Sequence, residues 1–241
     1  MTERRGRFPI GATIAMIVAL AALIGLGLWQ LQRLTWKTDL LARIAALQGA
    51  PATLLGTALD SAADGANLQF RRVVVDCPGL AQAPFLELYG LREGGAGSRL
   101  ISACKVDAAR YRTILVDRGF VADTISARPP VDRAAIAPVR IVGVLRLPDK
   151  ATFVTPPNDV AANRWFSRDV AAMAKALDAP APAPLFLMAE TSSNPEWKAL
   201  TPAPIPAEIP NRHLEYALTW FGLAGSLLAV YAAMLWRRWK S

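Results

Sequence analysis

Long uninterrupted runs of apolar residues occur at the two ends of the chain. The segments Ile10–Leu28 and Tyr216–Trp236 contain no charged residue. About 20 residues of α-helix rise about 30 Å, which matches the hydrocarbon thickness of a bilayer. We therefore predict two transmembrane helices, the first over residues 10–31 and the second, with the polar residues at its start, over residues 211–236.

The helical pattern of the first segment continues beyond the length that a membrane needs. Apolar residues recur at helical intervals from Leu34 to Leu47, and no helix-breaking residue precedes Gly49. We predict a juxtamembrane helix over residues 32–48 that is continuous with the first span.

After Pro51 the pattern changes to short runs of β-branched, aromatic and aliphatic residues, separated by glycine, proline and aspartate. Six such runs predict strands: Phe70–Val75, Phe85–Leu91, Arg99–Ala103, Thr113–Val116, Val139–Leu147 and Leu185–Glu190. A short helix is predicted over Val170–Leu177, with Asp169 as its N-cap. Residues 32–210 are therefore predicted to form a β-rich α+β domain, a small barrel or sandwich between the two spans.

Three further segments carry local predictions. The glycine-rich run 94–97 predicts a hairpin loop, and the run Asp117 to Phe120 predicts a turn that closes a strand. Residues 195–210 contain five prolines and little periodicity. This composition predicts an extended tether into the second span.

The positions of basic residues predict the orientation in the membrane. Six of them flank the spans: Arg4, Arg5, Arg7, Arg237, Arg238 and Lys240. Basic residues favour the cytoplasmic side, so residues 1–9 and 237–241 are predicted to be cytoplasmic and the central domain to lie across the membrane. The run Ala19 to Ala21 has the form of a signal-peptide cleavage site, but the apolar run continues to Leu28, which favours an uncleaved anchor.

Overall composition agrees with a membrane protein. Apolar residues make up 53% of the chain and charged residues 19%. The net charge of +8 does not indicate nucleic-acid binding, because several of the basic residues are topology signals and no basic stripe is interleaved with aromatic residues. The partner that composition indicates is membrane lipid.

The residue types of common catalytic and metal sites are scarce. His213 is the only histidine, which argues against a site with several imidazole ligands. Neither a GxSxG motif nor a cysteine–histidine pair is present, so we do not expect an enzyme. Cys77 and Cys104 both fall in the exported region. An oxidising compartment permits a disulfide between them, and their positions in strand-like stretches that could be neighbours favour it. The alternative is two buried thiols.

Polar residues are concentrated where the second span enters the membrane, between Asn211 and Thr219. Polar groups at that depth are costly and usually have partners or a function. Because the two spans are antiparallel, the end of the first lies at the same depth as the start of the second. Trp29, Gln30 and Arg33 are therefore predicted neighbours of His213.

Four stretches resemble one protein family. They are Gly27–Lys37, similar to the pattern G-x-W-Q-x-x-R-x-x-W-K; Leu115–Val121, similar to V-N-R-G-W-V; Asn163–Asp169 followed by Met173-Ala174; and Asn211–Phe221. Together they resemble the Surfeit locus protein 1 family, the Shy-type assembly factors of cytochrome c oxidase. The chain departs from the family at Asp117 and Phe120, where Asn and Trp are common, and lacks a glycine usual between Glu196 and Pro210.

The resemblance implies an assembly factor that binds haem a and helps deliver it to the catalytic subunit of the oxidase. It implies the bacterial inner membrane, a periplasmic central domain, and the haem a synthase and the catalytic subunit as partners. The alternative is a haem-free scaffold that holds the nascent subunit through the periplasmic domain.

Each candidate site residue has a functional and a structural interpretation. His213 is a candidate axial ligand of haem iron, and Tyr216 and Trp220 follow it at spacings that share one helix face. The alternative is a polar anchor within an ordinary aromatic belt, which also accounts for Trp29. Arg33 either pairs with a haem propionate or extends towards lipid headgroups.

Gln30 is a candidate to hydrogen-bond across to the second span, to His213 or Asn211. Two helices alone can hardly enclose a porphyrin. We therefore expect a second copy of the chain, or helices of a partner protein, to complete such a pocket.

Overall fold

The protein consists of two units, a pair of long helices and a central β-rich domain. The computed structural model describes residues 9–61, 65–92, 95–149, 151–202 and 211–240. The basic residues predicted to precede the first span lie outside this set, as do Gly94 and residues 203–210 of the predicted tether.

Both predicted membrane helices are present. Helix α1 spans Ile10–Gly49, so the predicted first span and juxtamembrane helix are one continuous element. The last helix, α4, spans His213–Lys240. Both are long and apolar enough to cross a membrane. The chain is thus a membrane protein with two candidate spans that flank a mixed β-sheet domain.

The two long helices pack antiparallel. The hydroxyl groups of Thr13 and Tyr231 form a hydrogen bond near one end. Further along, the ring of Phe221 packs against Gly27, where a Cβ atom would lie 2.6 Å from the ring. Gly27 therefore permits the close approach that aligns α1 with α4.

Within its described residues, the central domain contains two short α-helices and eight strands. The helices are α2 (Leu55–Ser61) and α3 (Val170–Ala176). The strands are β1 (Thr53–Leu54), β2 (Arg72–Pro78), β3 (Leu86–Arg92), β4 (Gly95–Lys105), β5 (Thr113–Ala122), β6 (Pro138–Arg146), β7 (Arg164–Trp165) and β8 (Pro182–Ala189). All six predicted strands are present. Asp169 caps α3 as predicted, its carboxylate accepting a hydrogen bond from the backbone N–H of Ala172.

All eight strands belong to one mixed sheet with the order β1-β2-β6-β8-β5-β4-β3-β7. The pairs β1–β2, β5–β8 and β3–β7 are parallel and the other pairs are antiparallel. This confirms the predicted β-rich α+β class. The arrangement is a single continuous sheet rather than the two packed sheets of a sandwich.

A disulfide shows that this sheet curls strongly. Cys77 on β2 and Cys104 on β4 are bonded, with their Cα atoms 5.3 Å apart. Four strand-to-strand steps separate β2 from β4 in the sheet order, which would span about 19 Å in a flat sheet. The sheet therefore folds back on itself as a partly closed barrel, and the disulfide joins strands that do not pair with each other.

Buried side chains occupy both faces of the curled sheet. Ile114 and Val116 belong to one core cluster, together with both cysteines and α2. Leu115, between them, belongs to a second cluster with Trp165 and residues of α3. This alternation is expected because successive residues of a strand point to opposite faces.

The predicted turn at Asp117–Phe120 is wrong. These residues lie inside β5, opposite Arg99 and Ile101 of β4, where β5 has one more residue than its partner strand. Gly119 has a φ of 130°. The glycine thus permits a β-bulge within a continuing strand rather than a chain reversal.

Two other local predictions also need correction. Gly95–Gly97 are the first residues of β4 rather than a loop. The predicted tether is not extended over its first part, because Leu200 is only 3% exposed. The backbone of Thr201 pairs with that of Phe120. Residues 195–202 thus belong to the central domain.

Candidate functional site

The site predicted at the start of the second span is built around one contact between the long helices. The ring atom Nδ1 of His213, the first residue of α4, lies 2.7 Å from Oε1 of Gln30 on α1. The two residues are separated by 183 positions in sequence. The antiparallel packing therefore brings together two of the residues selected from the sequence.

A second polar contact lies about two helical turns further along α1. The Asn211 side-chain amide donates to the hydroxyl of Thr38 at 3.5 Å. The carbonyl oxygen Oδ1 of Asn211 is buried without a hydrogen-bond partner among the described residues. The polar residues at this level thus bridge the two helices rather than projecting singly into lipid.

The other predicted site residues lie on the same face of the helix pair. An α-helix turns by about 100° per residue. On α1, Trp29 and Arg33 therefore flank Gln30 on the side away from Gly27. On α4, Tyr216 and Trp220 flank His213 on the side away from Phe221. Because Gln30 contacts His213, these two flanks form one face, which we call the histidine face.

The histidine face is open at its edges. Trp29 is 53% exposed and Tyr216 is 55% exposed. Trp220 is partly buried. The aromatic rings of this face make no ring–ring contact with one another within the described residues. Its surface is therefore apolar, aromatic and accessible from the side of the helix pair.

Arg33 does not contact His213. Its guanidinium lies over the ring of Trp36, 4.4 Å from the ring centre. This cation–π contact holds the charge beside the histidine face, where no carboxylate of the described residues is paired with it. The charge is thus available to an anionic group.

Two buried charges of the central domain have structural partners that the sequence did not indicate. The Asp117 carboxylate is fully buried and accepts hydrogen bonds from Arg99 at 2.6 Å and Arg168 at 2.8 Å. These partners come from β4 and from the segment before α3. Only long-range pairing reveals them.

Arg118 is completely buried. It donates hydrogen bonds to Ser193 and Ser102 and to the backbone carbonyl of Ala81. Burial lowers the pKa of its guanidinium to about 10, so the group remains charged at neutral pH. Its hydrogen bonds tie β5 to β4, to the 3-10 turn Leu80–Gln82 and to the segment after β8, which is a structural role.

The tryptophan motif before α3 is also structural. Trp165 has no exposed surface, and its indole N–H donates to Oδ1 of Asn163 at 3.2 Å. Asn163 has a positive φ of 53°, a conformation that asparagine tolerates. These residues lock β7 against β3.

A cavity of about 300 Å³ opens beside β7. Glu87 and Arg128 line it and form a two-pronged ion pair, with N–O distances of 3.0 and 2.9 Å. Tyr89 and Phe166 add aromatic rings whose centres are 6.0 Å apart. No local sequence pattern indicates this cavity, because the residues that line it come from β3, from β4, from the segment after β5 and from the segment around β7.

Comparison with known proteins identifies the family. Residues 17–225 match the sequence profile of the SURF1 family. A SURF1-like protein of Rickettsia felis is 31% identical over 233 residues, which cover 93% of this chain and 96% of the relative. Surfeit locus protein 1 of Gallus gallus is 29% identical over 239 residues, covering 88% of this chain and 70% of the relative. The same protein of Mus musculus is 29% identical over 225 residues, covering 86% and 70%. With its two-helix plan and its central mixed sheet, the chain belongs to the SURF1 family.

Proposed function

We propose that this protein is a membrane-bound assembly factor for cytochrome c oxidase that binds haem a and helps deliver it to the catalytic subunit. The observation that carries the proposal is the position of His213. The sole histidine of the chain is held by Gln30 on a laterally open aromatic face of the helix pair. Membership of the SURF1 family supports cytochrome c oxidase as the complex whose assembly this protein assists.

The donor set fits a haem that is carried rather than kept. Nδ1 of His213 is engaged by Gln30, and within the described residues no hydrogen bond occupies Nε2. A neutral imidazole nitrogen is a common axial ligand of haem iron. Haem iron that is held by one protein ligand is released more easily than haem iron that is held by two. His213 would supply that ligand.

The neighbours of His213 have complementary roles in this proposal. Tyr216, Trp220 and Trp29 would bind the macrocycle through apolar and ring contacts. Arg33 would pair with a propionate, since a guanidinium matches carboxylate geometry. A second copy of the chain or helices of a partner would cover the open side of the face.

The proposal includes a location and partners. The chain would lie in the bacterial inner membrane, with both ends cytoplasmic and the central domain in the periplasm. Basic residues that follow the second span support this orientation. The haem a synthase would provide the haem, and the oxidase catalytic subunit would receive it. The protein would act as a carrier rather than as an enzyme.

The test is the absorption spectrum of the detergent-purified protein from cells that make haem a, compared with its His213→Ala variant. We expect a haem band in the parent that is lost or shifted in the variant. A matched control is Glu215→Gln, which changes a polar residue two positions away on the opposite side of α4. Unchanged haem content in His213→Ala would refute the ligand role.

A haem-free scaffold is the second candidate, and one observation favours it. The central domain exposes large apolar side chains, with Phe153 101%, Leu91 75% and Val154 71% exposed. Such residues are suited to docking a protein partner. If the oxidase subunit co-purifies equally with the parent and with His213→Ala, while haem is absent from both, the scaffold function replaces the carrier function.

A further inference from the structure

The hydrogen bond between Gln30 and His213 distinguishes the two ring nitrogens. Oε1 of Gln30 lies 2.7 Å from Nδ1. An amide oxygen can only accept a hydrogen bond, so the proton of a neutral imidazole must then be on Nδ1. The lone pair is left on Nε2, the nitrogen that no described residue occupies.

We propose that Gln30 is a positioning residue that selects the Nδ1–H tautomer of His213 and so presents Nε2 as the ligand atom. This inference rests on the proposed haem-binding function. In many metal sites, a ligating histidine donates its other N–H to a neighbouring oxygen, which sets the tautomer and the ring orientation. Here the supporting oxygen comes from α1 and the ligand from α4.

The choice of an amide has a chemical consequence. A carboxylate in place of Gln30 would draw the Nδ1 proton more strongly and make Nε2 a stronger donor. A neutral amide orients the ring without adding that negative charge. The support is therefore suited to a ligand that must release its iron.

The same geometry couples the ligand to helix packing. Gln30 reaches His213 only while the two helices remain close at this level. That closeness depends on Gly27, one turn away on α1, whose missing side chain makes room for the ring of Phe221. Separation of the helices would remove the support from the ring.

The first test needs no haem. The chain has a single histidine, so ¹⁵N-histidine labelling gives the NMR signals of His213 alone. At a pH where the imidazole is neutral, we expect the Nδ1–H tautomer in the parent and a shift to the Nε2–H form in Gln30→Leu. Gln32→Leu, the same change on the opposite side of α1, is the matched control and should leave the tautomer unchanged.

The second test uses the haem-loaded protein. We expect Gln30→Leu to bind haem about 10- to 100-fold more weakly. Gln30→Glu should retain haem, with a lower reduction potential and a stronger iron–histidine stretch in the resonance Raman spectrum. If Gln30 served only helix packing, Gln30→Glu would not lower the reduction potential or strengthen the iron–histidine stretch.

The outcomes separate the two proposals. An Nε2–H tautomer in the parent, or an unchanged tautomer in Gln30→Leu, overturns the positioning role. If the tautomer responds as expected but the parent binds no haem, the haem-binding function fails while the control of the tautomer by Gln30 stands. Equal haem affinities for the parent and Gln30→Leu would also overturn the positioning role.

Discussion

At the scale of single residues, the ion pair between Glu87 and Arg128 has a pH dependence that follows from its surroundings. Burial on its own raises the pKa of the Glu87 carboxyl. The hydrogen bond and charge of Arg128, with a hydrogen bond from Ser98, lower it further than burial raises it, so the pKa lies below the ordinary value of 4.5. The folded state therefore binds the proton less readily than the unfolded state.

The sign of the effect on stability follows directly. A carboxyl whose pKa is lowered on folding contributes stability above its unfolded pKa, and this contribution is lost as the pH falls through the folded pKa. We expect Glu87→Gln to cost about 1 kcal/mol at neutral pH, since the pair is partly exposed. The difference from the parent should shrink as the pH falls below the ordinary carboxyl pKa of 4.5. Thermal unfolding of the detergent-purified proteins from neutral to acidic pH measures it.

Arg128→Gln is the matched control for this pH effect, because it removes the other partner of the pair. It should remove or reverse the loss of stability at acidic pH, because burial then raises the pKa of Glu87 without opposition from Arg128. A parent–variant difference that stays constant from neutral to acidic pH would contradict the assignment.

At the scale of elements, the bulge in β5 shows where local sequence patterns mislead. Asp117 and Gly119 are residue types that favour turns, and the sequence alone gives no reason to continue the strand. Arg99 and Thr201 supply that reason. Arg99 lies across the sheet and binds the Asp117 carboxylate, and Thr201 pairs with Phe120 from 81 residues away in sequence. Contacts between residues that are far apart in sequence cannot be predicted from the pattern of a few neighbouring residues.

Gly119 provides a prediction about the bulge. A Cβ atom there would lie 2.2 Å from the carbonyl oxygen of Thr201, and the φ of 130° already disfavours any other residue. Gly119→Ala should therefore destabilise the central domain by roughly 3 kcal/mol or more, combining backbone strain and overpacking. Chemical denaturation followed by tryptophan fluorescence measures the change.

A substitution at Gly95 measures the backbone strain separately from the overpacking. Its φ is 135°, close to that of Gly119, but a Cβ atom at Gly95 would meet no atom of the described residues within 4 Å. Gly95→Ala should thus show the backbone cost alone, about 1–3 kcal/mol. Equal losses for the two variants would mean that the approach of Thr201 to β5 does not matter.

At the scale of the whole molecule, the large features could be predicted from the sequence and the pairings could not. The two uncharged segments predicted both long helices, because their length and composition are local properties. The antiparallel arrangement of the two spans then predicted that Gln30 and His213 lie at the same depth in the membrane. The sequence could not choose between His213 and Asn211 as the partner of Gln30, because the two residues are only two positions apart. The packing of Phe221 on Gly27 sets that register.

The disulfide poses the same problem for the central domain. From the sequence, Cys77 and Cys104 could form a disulfide or remain two buried thiols, because the sequence does not show which strands lie close together. In the sheet order their strands are not neighbours. Only the curl of the sheet brings them together. The bond closes a loop with a sequence separation of 27 residues, for which the chain-entropy model gives a stabilisation of about 3–4 kcal/mol.

The disulfide therefore gives a prediction for the whole domain. The double variant Cys77→Ala with Cys104→Ala should lose about 3–4 kcal/mol of unfolding free energy, mainly because its unfolded chain is less constrained. The folded domain should keep its secondary structure, since the buried core around the bond also contains residues of α2 and of three other strands. Both cysteines are buried, at 0% and 2% exposure, so a reducing agent should react only with unfolded protein. Urea denaturation with and without reductant measures both effects. Rapid reduction of the folded parent, or a stability loss well below 1 kcal/mol, would show that the bond does not hold the curled sheet.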